Sequence, residues 1–140
     1  MPGSFIDTTV LTYLASADPG KADRAEEILA AGGSINVQVL NELANVARRK
    51  MRLSWPETHA LLSTIRALLP VRPITIGVHD TGLALAERYG LSLYDAMIAA
   101  AALETGCDTL WSEDMQDGFV IDGRIRVTNP FRGAAPSSAG

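Results

Sequence analysis

The chain has 140 residues, 47% of them apolar, and carries 12 Lys and Arg against 16 Asp and Glu, a formal net charge of −4. That length supports one domain with a proper core, the acidity argues against non-specific nucleic-acid binding, and no apolar run is long enough to span a bilayer. The single Cys107 excludes an internal disulfide and a cysteine metal site, and it suits a reducing cytosol. MPGSFIDTTV has no basic segment followed by a hydrophobic one, so a cytoplasmic location is expected.

In chain order, Ser4 to Ile6 reads as a short strand, and Asp7-Thr8-Thr9 caps a helix running to about Ala15. Asp18 and Pro19 open the next helix, which Gly32-Gly33 ends at Ala31. Ser34 to Asn36 is a second strand. The helix after it carries Val39, Leu40, Leu43, Val46 and Ala47 as an apolar stripe with Glu42 beside it, and it ends in Arg48, Arg49, Lys50 and Arg52. Ser54 and Glu57 form a capping box for a helix reaching about Leu69, where Pro70 stops it. Val71 to Ile76 reads as a third strand, made irregular by Pro73, and Val78 to Tyr89 as a helix closed by Gly90.

The stretch from Leu91 to Gly118 organises the rest. Ser92 and Asp95 have the spacing of a capping box, the run from Ala96 to Thr105 favours a buried helix, and Gly106 ends it. Cys107 to Trp111 is then a short buried strand, with Cys107 a small core residue, and Ser112-Glu113-Asp114 emerges from it. Phe119 to Val127 is a hairpin-like return around Asp122-Gly123, with Arg124 to Val127 the last strand and Asn129-Pro130-Phe131 the end of the fold. Residues 1–132 are expected to form one domain, and the small, polar residues 133–140 a disordered tail.

Strands alternating with amphipathic helices predict an α/β fold with a mostly parallel sheet, whose ligands bind outside the carboxyl ends of the strands. Asp7, Asp114 and Asp117 follow strands, and Glu42 and Asp95 lie on helices near that edge. Each acid alone has a plainer reading as a cap, a solvated helix residue or a loop residue. Acids gathered at one edge are costly unless a cation or a proton neutralises them. Oxygen ligands without His or Cys suit Mg²⁺ or Mn²⁺, ions that serve phosphoryl chemistry. If four carboxylates are neutralised in this way the net charge falls to zero, and the objection to nucleic acid softens. His59 and His79 sit among polar helix residues and read as surface groups. No glycine-rich phosphate loop follows the first strand and no G-x-S-x-G is present. Arg48, Arg49, Lys50 and Arg52 can bind RNA phosphate or simply offset the dipole at a helix end.

FIDTTVL with Asp7, VQVLNELANV with Glu42, YGLSLYDAMIAAAA with Asp95, LWSEDMQDG with Asp114 and Asp117, and the closing NPF together resemble a PIN-domain ribonuclease of the VapC toxin type, over roughly Phe5 to Phe131. The second and third motifs are the specific ones. The resemblance implies a three-layer α/β/α sandwich, Mg²⁺- or Mn²⁺-dependent endonucleolytic cleavage of RNA, a cognate antitoxin that blocks the site, and a homodimer. It implies that Asp7, Glu42, Asp95 and Asp114 are catalytic, with Asp7, Asp95 and Asp114 holding metal and the hydroxyls of Thr8 and Ser112 supporting them. The chain departs from the family at Thr9, where Asn or Ser is more common, and at Asp117, three residues beyond Asp114 where the family's spacing is two. Two other readings stand beside it. One is a PIN fold that grips RNA or a protein without cutting. The other is a haloacid-dehalogenase-like phosphatase, disfavoured because Thr9 occupies the place of its second Asp.

Overall fold

The computed structural model describes residues 3–131. Its helices begin where a short polar side chain can take an orphan backbone N–H. Asp7 accepts from Thr8, Asp18 from Gly20 and Lys21, Asn36 from Val39, Ser54 from Glu57, Thr75 from Val78, and Ser92 from Asp95. The chain runs β1 (Ser4–Ile6), α1 (Thr8–Leu11) continued by a 3₁₀ turn over Thr12–Ala15, α2 (Pro19–Ala31), β2 (Ile35–Asn36), α3 (Val37–Arg49) and α4 (Trp55–Leu68). It continues with β3 (Val71–Arg72), α5 (Ile76–Tyr89), α6 (Leu93–Glu104), β4 (Thr109–Trp111), β5 (Val120–Ile121) and β6 (Ile125–Thr128).

β1, β4 and β6 lie side by side and parallel, with β5 antiparallel at the edge beyond β6. β2 and β3 form a second parallel pair, joined to β1 through a parallel bridge between Phe5 and Ser34. α6 packs on β4 and β6 and against α5, while α3 packs on α1, α4 and β2, giving an α/β sandwich around a mostly parallel sheet. The core is that sheet's Phe5, Ile6, Leu110, Ile125 and Val127 with the helix residues around them. Every residue of α6 from Ala96 to Leu103 is buried, as its unbroken apolar run predicts.

Some strands are shorter than expected. The fourth begins at Thr109 rather than Cys107. The third stops at Arg72 rather than Ile76, because Pro73 has no N–H for the ladder and Thr75 instead caps α5, which starts at Ile76. The expected tail at 133–140 lies outside the described residues. Among those residues no helix is long and apolar enough to cross a membrane.

Gly82 shows how closely α5 and α6 approach. A Cβ there would run into the Met97 sulfur and stand 3.3 Å from Met97 Cα. Gly82→Ala gains about 1 kcal/mol of helix propensity but overpacks the contact, which typically costs about 1–3 kcal/mol. We expect a net loss of about 1 kcal/mol in urea unfolding, and a stabilised variant would mean that Met97 swings aside freely.

Candidate functional site

The register of β1 on β4 pairs Ile6 with Trp111, so the residues that follow each strand emerge together. Asp7 N–H donates to Trp111 carbonyl at 2.9 Å, and Ser112 N–H donates to Thr128 carbonyl at 3.1 Å. Asp7 is therefore set into the carboxyl edge of the sheet, with only 4% of its surface exposed. Its Oδ1 accepts from Thr8 N–H at 2.7 Å and its Oδ2 from the Ser112 hydroxyl at 2.8 Å. Burial outweighs those two bonds, and the charges of Glu42 and Asp95 add to it, so the Asp7 pKa is pushed up to about 7.

Glu42 comes from the middle of α3 and is oriented at both oxygens. Thr8 Oγ1 donates to its Oε1 at 2.7 Å, and Gln38 Nε2 donates to its Oε2 at 3.1 Å. Asp95 comes from the first turn of α6. The capping box expected there forms only in half: Ser92 Oγ accepts from Asp95 N–H at 3.2 Å, without the returning bond that Glu57 makes to Ser54 N–H at 2.8 Å in α4. Asp is one methylene shorter than the Glu that completes a box, which leaves its carboxylate for other use. Burial raises the Asp95 pKa. The Ser92 hydroxyl opposes the rise, and the charges of Asp114 and Glu42 add to it. Asp114 is exposed, in the loop after β4.

These four acids line one cavity of about 610 Å³, reached from four separate stretches of chain. None of them has a salt-bridge partner among the described residues. No three Asp, Glu, His or Cys side chains among the described residues stand close enough together to hold a metal ion. The donor set still fits a hard divalent cation in chemistry and charge. It is all oxygen, and burial first, with the neighbouring carboxylates adding to it, raises the pKa of Asp7 and Asp95. Glu42 and Asp95 are part-exposed and Asp114 is exposed, so three of the four carboxylates face the opening of the cavity.

Thr8 and Ser112 are buried, and their hydroxyls donate to the carboxylates of Glu42 and Asp7. Thr9 Oγ1 accepts from Glu113 N–H at 3.1 Å, so the hydroxyl that departs from the family's usual residue fastens the loop after β4. Asp117 lies away from the cavity, and its Oδ1 accepts from Asn129 N–H at 2.8 Å. Asn129 in turn accepts from Phe131 N–H at 2.9 Å, and Phe131 meets Tyr13 edge-on at 4.6 Å, so Asp117 and the NPF ending close the fold. Of the basic group only Lys50 lines the cavity. Arg48 donates to Leu53 carbonyl at 2.6 Å and lies 4.2 Å over the Trp55 ring, while Arg49 and Arg52 are exposed elsewhere.

Two features escaped the sequence reading. Glu113 lines the same cavity but is compensated, accepting from the Tyr13 hydroxyl at 2.6 Å and pairing with Lys21 at 3.5 Å. Its only signal was its place beside Asp114. Asn36, fully buried, caps α3 while its amide nitrogen has no partner. An Asn between a strand and a helix was that signal.

The sequence model of the PIN domain matches residues 4–117. No curated protein matches the chain by sequence. Among solved structures, the chain is similar to one in a toxin–antitoxin complex from Klebsiella pneumoniae, with 25% identity over 91% of this chain and 97% of that one and a TM-score of 0.68. It shares its fold with a sarcin–ricin-loop-cleaving VapC toxin from Mycobacterium tuberculosis, at 20% identity over 79% and 91% of the chains and a TM-score of 0.65. It shares it also with VapBC2 from Rickettsia felis, bound to a DNA fragment from its promoter, at 19% identity over 90% and 97% and a TM-score of 0.66.

Proposed function

We propose, from the premise that this chain belongs to the PIN-domain family, that it is a metal-dependent endoribonuclease and the toxin of a toxin–antitoxin pair. The observation that carries the reading is the cavity at the carboxyl edge of the sheet, lined by Asp7, Glu42, Asp95 and Asp114, none of which has a salt-bridge partner among the described residues. The similarity to a chain of the Klebsiella pneumoniae toxin–antitoxin complex supports the paired partner.

Asp7, Asp95 and Asp114 would hold Mg²⁺ or Mn²⁺. When bound, such a cation supplies Lewis-acid polarisation of a phosphate oxygen and makes water easier to ionise. The chain's own residues do the rest. Thr8 N–H and the Ser112 hydroxyl fix both Asp7 oxygens, so this carboxylate is pre-oriented. The Thr8 hydroxyl and the Gln38 amide hold Glu42 against the opening, where it can take a proton from water aligned on the phosphodiester. Lys50 gives the cavity wall a positive charge for a phosphate. An antitoxin would block this acidic site by inserting an Arg or Lys as counter-charge.

The carboxylate spacing favours a second reading, a PIN fold that grips RNA without cutting it. One experiment separates the two. Purified protein is incubated with a structured RNA in Mg²⁺, Mn²⁺ or EDTA, with and without any small protein that the neighbouring reading frame encodes. Internal cuts that need the metal and stop with the partner are expected. Folded protein that binds the RNA and leaves it whole in both metals would establish the second reading.

A further inference from the structure

Beside the acidic cavity lies a second one of about 550 Å³ that shares Glu42, Asn45 and Tyr94 with it and is otherwise lined by Gln38, Asn41 and Ile74. Gln38, Asn41, Glu42 and Asn45 follow the i, i+3, i+4, i+7 pattern along α3, so one helix face presents three carboxamides to a single groove. Gln38 Nε2, already donating to Glu42, also reaches Tyr94 carbonyl at 3.5 Å and ties α3 to the start of α6. The carboxamides of Asn41 and Asn45 are exposed and make no hydrogen bond among the described residues. Tyr94 is 70% exposed, in the first turn of α6, whose residues from Ala96 to Leu103 are all buried.

An exposed phenol ring against the wall of an acidic site contributes nothing to the core. A ring offers a stacking face to any base, and a carboxamide presents one donor and one acceptor to a base edge. No Lys or Arg lines this second cavity, so it does not suit a phosphate; its neighbour, with Lys50, does. Its lining sets the three carboxamides beside apolar surface from Ile74 and Tyr94, a mix that matches the polar edge and flat faces of a nucleobase better than an apolar peptide side chain.

We propose that this second cavity seats one unstacked nucleobase of a single-stranded RNA segment, the base next to the phosphate held in the acidic cavity. Tyr94 supplies the stacking face, and Asn41 and Asn45 read the base edge. The assignment rests on the endoribonuclease reading and adds the part of the site that selects sequence.

The test uses fluorescein-labelled homopolymeric oligoribonucleotides of the four bases. Their binding is followed by anisotropy in EDTA, and their cleavage by steady-state kinetics in Mg²⁺. Tyr94→Leu should weaken binding roughly tenfold or more, the scale of one lost base stack, and should raise KM more than it lowers kcat. Tyr94→Phe should recover what Tyr94→Leu loses, and Asn45→Ala should flatten the preference among the four bases. Tyr94 is exposed, so thermal unfolding of Tyr94→Leu should match wild type. Unchanged affinity and KM in Tyr94→Leu and Asn45→Ala would overturn the proposal. So would loss of antitoxin binding alone in those variants, which would assign the cavity to a peptide. Metal-dependent cutting with a KM indifferent to Tyr94 removes this subsite and leaves the nuclease. Tyr94-dependent binding without cutting leaves the subsite and removes the nuclease.

Discussion

Asp95→Asn should lower metal-dependent RNA cleavage by more than about a hundredfold while leaving the fold intact. Residues that only support a metal ligand typically contribute about 10- to 100-fold, and Asp95 is proposed as a ligand itself. The fold should hold because the Asp95 backbone, not its carboxylate, completes the cap on Ser92, at 3.2 Å, and the helix behind it is buried. Asn keeps the size and the N–H but binds a hard cation poorly. It also removes one of the charges that raise the Asp7 pKa, so the metal-free variant should be no less stable than wild type. The measurement is initial cleavage rate in Mg²⁺ beside thermal unfolding in EDTA. Wild-type cleavage by a folded Asp95→Asn would remove Asp95 from the chemistry.

Asp95 also marks what could be read in the sequence and what could not. Ser92 and the Ala-rich run after it determine the start, length and burial of α6 locally, so the helix was legible. The half-formed cap was not, because it turns on the reach of one side chain. The third strand failed for a different reason. Val71 to Ile76 has strand composition, but Pro73 and the cap at Thr75 divide it, and the helix claims Ile76. The convergence of Asp7, Glu42, Asp95 and Asp114 depends on the order β1-β4-β6 and on α3 lying against α1, neither of which any one motif contains. Glu113 and its hydroxyl partner Tyr13 stand 100 residues apart in sequence, beyond any local pattern. The odd spacing of Asp117 was visible from the start, and the contact with Asn129 explains it.

The metal-free protein should lose stability as pH rises from about 4 to 7, and Asp7→Asn should remove most of that loss. The folded Asp7 pKa is about 7, against an ordinary value of 3.8. Between those values the folded state binds a proton that the unfolded state has released, so unfolding becomes easier as pH rises. The contribution is complete below about pH 4 and gone above about pH 7. A shift of that size corresponds to about 4 kcal/mol at most. Asp95, also raised, acts in the same direction. The quantity to read is the difference between wild type and Asp7→Asn in urea unfolding with EDTA, because the exposed acids cancel in it. Asn keeps one acceptor for Thr8 N–H and gains a donor for the Ser112 hydroxyl oxygen, so its carboxamide fits the same bonds without a charge. A difference that stays flat with pH would mean that Asp7 is already ionised and compensated in the fold, and the idea of stored charge would go with it. Mg²⁺ supplies the second half of the test. A cation that replaces the proton should stabilise wild type most at about pH 8, where the carboxylate is bare, and hardly at all at pH 4. Asp7→Asn should respond weakly at both. Proton and metal then compete for the same buried oxygen, and near neutral pH neither has to be driven far to exchange with the other.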